Sequence, residues 1–313
     1  MAKKIETLDY YVRQALDFFE ENKNPILELP KSSHTLVVGS QTGLLAGRII
    51  YRFAGRSFSH AKEVLAQSEI DAKRNILEDV TIVSATGSRQ VVPIARYALD
   101  KGLRVNAILC NENSELEENF GGRINALTFS ALKEPPTINT STYGSMIQAV
   151  TQENLSEIRQ VIESLKEPRG GYGRFKAFSV IFTDSMPEVA EMVDWKLRGE
   201  NIGRCIGSMS THLTNYMHGA AINDAKKELY IGVGLSQEEK KVFEQVLKPV
   251  DKERKYYIDV PDGFGPLGFM LLGYSLVGRI QKNYPGFQNN IGIYKQRAKK
   301  WTWLSPLCTK KQA

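Results

Sequence analysis

Five stretches of this chain are short, rich in β-branched or aromatic residues and carry little polar alternation: Thr35 to Val38, Val80 to Val83, Val105 to Cys110, Phe178 to Phe182 and Leu229 to Val233. Strands buried on both faces have this composition, whereas a half-solvated strand alternates. Helical patterns follow them, over Leu44 to about Phe53, Val91 to Lys101 and Pro187 to Arg198. Further strands are expected over Ile124 to Leu127, near Cys205 and over Tyr256 to Val260, and a mostly apolar helix over Leu267 to Tyr284. Alternation of this kind predicts an α/β fold with mainly parallel, doubly wound sheets, right-handed crossovers and ligands at the carboxyl ends of the strands.

The rhythm runs twice. An opening amphipathic helix, with Ile5, Leu8, Val12, Ala15, Leu16 and Phe19 at three- and four-residue spacing, precedes the first run. A long, largely helical region from about Ser141 to Lys166 closes it, and Glu167-Pro-Arg-Gly-Gly-Tyr-Gly173 interrupts the pattern before the second run begins. Two domains are therefore expected, over 1–166 and 167–313. Ser236-Gln-Glu-Glu239 has the spacing of a capping box, which opens a helix to about Leu247. The helices beginning near Glu6 and Leu267 carry apolar faces that one small domain would leave partly uncovered, so a homodimer is expected.

Of the 313 residues, 42% are hydrophobic and 24% charged, and no apolar run approaches the ~20 residues of a membrane span. Charged residues interrupt the N-terminal segment, unlike a secretory leader; a cytoplasmic protein is expected. Cys110, Cys205 and Cys308 are far apart and read as free thiols, with no metal knuckle and no cofactor implied. The formal charge of +6 favours anionic ligands. Part of that excess lies near the C-terminus, where Lys295, Arg297, Lys299, Lys300, Lys310 and Lys311 surround Trp301 and Trp303. That tail reads as a solvated segment with an aromatic anchor; contact with nucleic acid or acidic lipid is the alternative.

Two loops hold the candidate chemistry. Ser84-Ala-Thr-Gly-Ser-Arg89 lies just past a strand, where the next helix points unpaired N–H groups and the positive end of its dipole. Hydroxyls of Ser84, Thr86 and Ser88, the close approach allowed by Gly87, and the charge of Arg89 would suit a phosphate. Alternatively Ser88 only caps the helix. Gly39-Ser-Gln-Thr-Gly43 is a second such loop, one βαβ step earlier. Neither matches a dinucleotide fingerprint or a P-loop.

These paired units resemble the SIS (sugar isomerase) family of phosphosugar-binding proteins over most of the chain. The family's second loop commonly reads Ser-x-Ser-Gly-Glu-Thr, and Ser84-Ala-Thr-Gly-Ser-Arg89 is similar at its first, third and fourth positions. The resemblance implies two SIS-type domains and a phosphorylated sugar or amino sugar held by Thr42, Ser84, Thr86, Ser88 and Arg89. Asn215-Tyr-Met-His-Gly219 is similar to a family Glu-x-x-His-Gly stretch whose His opens the sugar ring, which gives His218 that role. Lys196-Leu-Arg-Gly-Glu200 is similar to the helix carrying the isomerase base, with Gly199 at the aligned position and Glu200 beside it. Lys310 or Lys311 would stabilise an enediolate if the tail folds back. Asp184, in Thr183-Asp-Ser185, would repel phosphate in the second half, and Gly207-Ser-Met-Ser-Thr211 reads as a polar turn. An aldose–ketose isomerase, a non-catalytic phosphosugar binder, and a protein that binds nucleic acid or a partner through its tail are the three readings, in that order.

Overall fold

A computed structural model of the chain describes residues 6–22, 26–27, 34–52, 56–87, 89–111, 113–135, 138–200, 208–219 and 227–283. Ser88, Cys205, Cys308, Lys310, Lys311 and the rest of the basic tail lie outside them, and of Glu200 only the backbone is described. The first half forms a five-stranded sheet of β1 (Thr35–Gly39), β2 (Ser57–His60), β3 (Asp79–Val83), β4 (Arg104–Leu109) and β5 (Asn125–Thr128). Its spatial order is β2-β1-β3-β4-β5, parallel throughout. The second half forms a four-stranded parallel sheet of β6 (Ala177–Phe182), β7 (Met209–His212), β8 (Glu228–Val233) and β9 (Lys255–Ile258), ordered β7-β6-β8-β9. The α/β class with two parallel sheets is as the strand composition requires.

Helices flank both sheets: α1 (Leu8–Glu21), α2 (Gln41–Ile50), α3 (Glu63–Lys73), α4 (Val92–Asp100), α5 (Glu115–Phe120), α6 (Thr140–Thr151), α7 (Leu155–Ser164), α8 (Pro187–Asp194), α9 (Leu213–Gly219), α10 (Gln237–Val246) and α11 (Pro266–Lys282). Four details depart from the sequence reading. The loop after β1 is shorter than expected, because α2 already begins at Gln41. The long helical region is two helices, parted where Gln152 turns left-handed at φ 49°. Met209 to His212, expected in a polar turn, pairs with β6 as an edge strand, where half-exposed polar positions are tolerated. Finally β2, α3 and α5 were not anticipated.

The largest core draws on both halves. One face of the first sheet gives it Val37, Val83 and Ile108, the second sheet gives Phe178, Val180, Phe182 and Ile231, and α1, α2, α6, α8 and α11 pack between them. The apolar faces of α1 and α11, offered above as a reason for dimerisation, lie against each other. Asp9 of α1 is buried there and ion-paired with Lys282 of α11. The opposite face of the first sheet packs on α3, α4 and α5 in a separate core around Ile82, Ile94 and Ala98.

Close approach of α1 and α11 depends on Gly278, where a Cβ would lie 2.0 Å from the Asp9 backbone nitrogen. Overfilling a packed core ordinarily costs about 1–3 kcal/mol, and here the obstacle is backbone. Gly278→Ala should therefore lower the free energy of unfolding by about 3 kcal/mol or more, read from the urea midpoint. Gly173→Ala, whose added carbon would meet only ordinary contacts from 3.5 Å outward, should leave that midpoint almost unchanged.

Candidate functional site

In a sheet ordered 2-1-3-4-5, consecutive connections leave in opposite directions between β1 and β3, and a crevice opens there outside the carboxyl ends of the strands. Both candidate loops border it. After β1, Ser40 is exposed, Gln41 is left-handed at φ 35° and Thr42 is half-buried. Gly39 and Gly43 let the turn close, since a Cβ would fall 2.4 Å from the Leu44 nitrogen or 2.7 Å from the Val83 carbonyl oxygen. After β3, the Ser84 hydroxyl is buried and accepts from the Gly87 N–H at 3.1 Å. Gly87 is left-handed (φ 56°) and packs on Ser114, leaving Thr86 and Arg89 exposed. Ser84 therefore shapes the loop, whereas Thr86 and Arg89 face outward.

Both helices that start at this crevice lack side-chain caps: Ser40 and Val91 stand at the N-cap positions of α2 and α4, and neither side chain accepts a bond from the helix. Among the described residues no N-cap side chain takes the first-turn N–H groups of α2 or α4; Gly43 N–H bonds to the Ser40 carbonyl and Pro93 has no N–H, which leaves the remaining groups to meet an anion.

The equivalent crevice of the second sheet, between β6 and β8, is filled. Glu239 accepts from the Thr183 hydroxyl at 2.9 Å, the Asp184 N–H at 2.8 Å and the Ser236 N–H at 2.7 Å, while Ser236 completes the capping box of α10. One carboxylate thus takes the donors of both loops. Asp184 has a structural task as well: its carboxylate accepts from the Thr214 N–H at 2.7 Å and hydroxyl at 2.6 Å at the start of α9, and lies 3.0 Å from His212 Nδ1. Partial burial opposes ionisation, but Thr214 and His212 outweigh it and hold Asp184 below the usual carboxylate range.

The two proposed acid–base residues are carried by the second half. His218 is exposed in the last turn of α9, which packs against β6, β7 and α10. Asn215, on the same helix, donates to the Thr211 hydroxyl at 2.7 Å. Glu200 ends a π-helical turn, Trp195–Glu200, that continues α8.

Other ionisable groups gather behind the β3 loop, and sequence reading did not select them. Tyr143 of α6 is hydrogen-bonded to the Ala85 backbone, and the Cys110 thiol donates to the Thr142 carbonyl at 3.5 Å. Glu134 reaches the start of α6, where its Oε2 accepts from the Ser141 N–H at 3.0 Å and hydroxyl at 2.9 Å. Its Oε1 is buried without a partner. Burial raises the Glu134 pKa to about 7, against the pull of Ser141 and the Lys196 charge. Lys196, buried in the π-helical turn, holds its ammonium 5.5 Å from the ring centre of Tyr274. Burial also pushes Cys110 up to about 12 and raises Tyr143 and Tyr274, so all three stay protonated at neutral pH. Glu134 stands near the midpoint of its titration at neutrality. A signal was present for Lys196: it falls on the face of α8 that buries Val189, Met192 and Val193, where the helical period calls for an apolar residue.

Among solved structures the chain is similar to tagatose-6-phosphate ketose/aldose isomerase from Escherichia coli, with 15% identity, a TM-score of 0.59, and 90% of this chain and 89% of that one covered. The fold is that of the SIS phosphosugar isomerases. Glucosamine-6-phosphate deaminase from Thermotoga maritima gives 18% identity and a TM-score of 0.60 over 90% of this chain and 95% of that one. The C-terminal domain of glucosamine-fructose-6-phosphate aminotransferase from Francisella tularensis gives 13% and 0.52 over 89% and 92%. No protein-family model and no curated protein sequence matches the chain. In this fold the loops of the second crevice are tied together by Glu239, and among the described residues no such carboxylate joins the loops of the first.

The raised Glu134 pKa has a consequence for stability. The folded chain binds a proton there more tightly than the unfolded chain, whose carboxyl titrates near 4.5. Stability should therefore fall as pH rises from that value to about 7, and remain lower above it. Glu134→Gln keeps an acceptor for Ser141 and removes the titration, so it should gain about 3 kcal/mol relative to the parent chain across that window. Melting temperatures of the pair at about pH 5 and about pH 8 would show the divergence, and parallel curves would place the Glu134 pKa at its ordinary value.

Proposed function

We propose that the chain binds a phosphorylated sugar or amino sugar in the crevice between β1 and β3 and interconverts its aldose and ketose forms. The contrast between the two crevices carries this reading: uncapped helices and outward hydroxyls border the first, and an internal carboxylate occupies the second. Thr42, Thr86, Ser88 and Arg89 hold the phosphate, through hydroxyls, backbone N–H groups and one guanidinium, with the β3 loop shaped from within by the Ser84 hydroxyl. Two of the structurally similar proteins carry hexose-phosphate substrates in their names, which supports the same class here.

In the proposed reaction His218 passes a proton to the ring oxygen and opens the sugar. A carboxylate then takes the proton from C2, the electron pair moves into a C1–C2 enediol, and the same carboxyl returns the proton to C1. Glu200 is the base from the resemblance. Glu134, with its pKa raised to about 7, is the second carboxyl suited to both halves of that transfer. We further propose that residues 1–166 and 167–313 act as two SIS-type domains in a cytoplasmic homodimer. A non-catalytic phosphosugar binder is the second reading, favoured by Asn215, whose amide is committed to Thr211.

Binding is tested by melting. Millimolar fructose 6-phosphate should raise the melting temperature more than fructose does, because a ligand that binds the native state alone stabilises it by mass action. Thr86→Val, which removes an exposed hydroxyl and keeps the shape, should lose most of that rise; an undiminished rise would move the phosphate elsewhere.

Turnover is tested by exchange of the C2 proton with deuterated solvent. The parent chain should exchange it, and His218→Asn should slow the closed-ring sugar more than an open-chain analogue. Whichever of Glu200→Gln and Glu134→Gln lowers exchange by about 10²-fold or more, with phosphosugar binding retained, identifies the base. Binding of hexose, hexosamine and pentose phosphates without any exchange would establish the binder instead.

A further inference from the structure

The first sheet has a second polar place, at the opposite end of its strands from the β1–β3 crevice. A parallel sheet covered by helices is apolar on both faces, and the carboxyl halves of β1, β3 and β4 conform, with Val37, Val83 and Ile108 in the main core. On that same face the amino halves do not. Asp79 pairs in register with Arg104, Thr81 with Asn106, and Asn106 with Asn125, so a polar stripe crosses β3, β4 and β5. The Tyr51 hydroxyl donates to Thr81 Oγ1 at 3.2 Å, the Asn106 amide reaches the same oxygen at 3.5 Å, and the Asn125 amide reaches Asn106 Oδ1 at 3.4 Å. The stripe lines a cavity of about 760 Å³, which Arg123 also borders. Small-molecule sites commonly have this size.

Asp79 is fully buried in the wall of that cavity, and among the described residues neither carboxylate oxygen accepts a hydrogen bond. The Arg104 guanidinium stands 3.6 Å from Oδ2, beyond hydrogen-bond range, donates instead to Glu78 at 3.3 Å, and is itself mostly exposed. Beside Asp79 on the neighbouring strand, the Thr35 hydroxyl is also buried without a partner. A buried carboxylate with no donor is among the least favourable groups a fold can retain. Unexplained groups of this kind call for an occupant.

From this accounting we infer that the cavity is a second ligand site, separate from the β1–β3 crevice, for a compact zwitterion: a primary ammonium on Asp79 and a phosphate or carboxylate on Arg104 and Arg123. An ammonium supplies three N–H donors and the opposite charge, which a buried carboxylate requires. Arg104 is shared with Glu78 and Arg123 brings a second positive charge to the rim, so an anionic group on the same molecule would gain charge-assisted hydrogen bonds there. The short separation of Asp79 and Arg104 sets the spacer at a few atoms. This inference stands whether or not the crevice holds a sugar phosphate.

O-phosphoethanolamine is the probe, followed through the side-chain amide resonances of Asn106 and Asn125, which lie far from the other crevice at the opposite end of the strands, in a Thr86→Val background that weakens binding there. Those resonances should shift saturably at millimolar probe. Ethanolamine and glycerol phosphate, each lacking one charge, should bind at least ~10-fold more weakly, and Asp79→Asn should weaken O-phosphoethanolamine by the same factor. Arg123→Ala, at an exposed position that folding does not require, should weaken O-phosphoethanolamine while leaving ethanolamine unchanged. Amide resonances that do not move with O-phosphoethanolamine, or equal affinities for the parent chain, Asp79→Asn and Arg123→Ala, would overturn the assignment and leave Asp79 a structural residue bridged to Arg104 by water.

Discussion

Helix α11 is the element on which the rest of the structure leans. Fourteen of its seventeen residues are buried, and it packs on α1, α6, α7 and α8, elements from both halves of the chain. A helix that is apolar nearly all round has no stable place except an interior. Its start is fixed by Glu153, whose carboxylate accepts from the N–H groups of Gly265, Leu267 and Gly268 at 2.8–3.0 Å. Its neighbours approach through glycines: Gly273 faces Val193 of α8, and Gly278 faces the backbone of α1. The same helix supplies Tyr274, over which Lys196 sits, and thereby helps exclude water from Glu134. The electrostatics behind the β3 loop are thus a by-product of how the two halves are held together.

Fold and site were legible to different depths. β1, β3, β4, β6 and β8 stood out because buried parallel strands need unbroken β-branched and aromatic runs. β2, Ser-Phe-Ser-His, has one large apolar residue, since as an edge strand it is paired on one side and half-exposed. α5 is six residues long, too short for a helical period to be seen. The places of the two sheet crevices, between β1 and β3 and between β6 and β8, follow from strand order, which no local pattern contains. Thr86 and Arg89 could be chosen from the sequence because strand, loop and helix fix where such residues point.

The closing of the second crevice could not be read, because Glu239 and Thr183 are 56 positions apart and only the β6–β8 pairing brings them together. Ser236-Gln-Glu-Glu239 was recognisable as a capping box, and that is a local matter. Its Glu having a second carboxylate oxygen to spend on another loop is a tertiary one. Glu134 is a similar case: nothing around Leu132-Lys-Glu-Pro135 distinguishes it from a surface residue until α6 and the π-helical turn close over it.

Glu239 has a bearing on the behaviour of the unliganded chain. A loop whose donors converge on an anion from elsewhere keeps its shape only while that anion is present, and otherwise explores other conformations at little cost. Thr183, Asp184 and Ser236 carry their anion with them, covalently tethered and therefore at a fixed effective concentration. The rim of the second crevice is thus ordered by a carboxylate of its own chain, whereas the β1 and β3 loops are ordered by the Ser84 hydroxyl and by backbone turns.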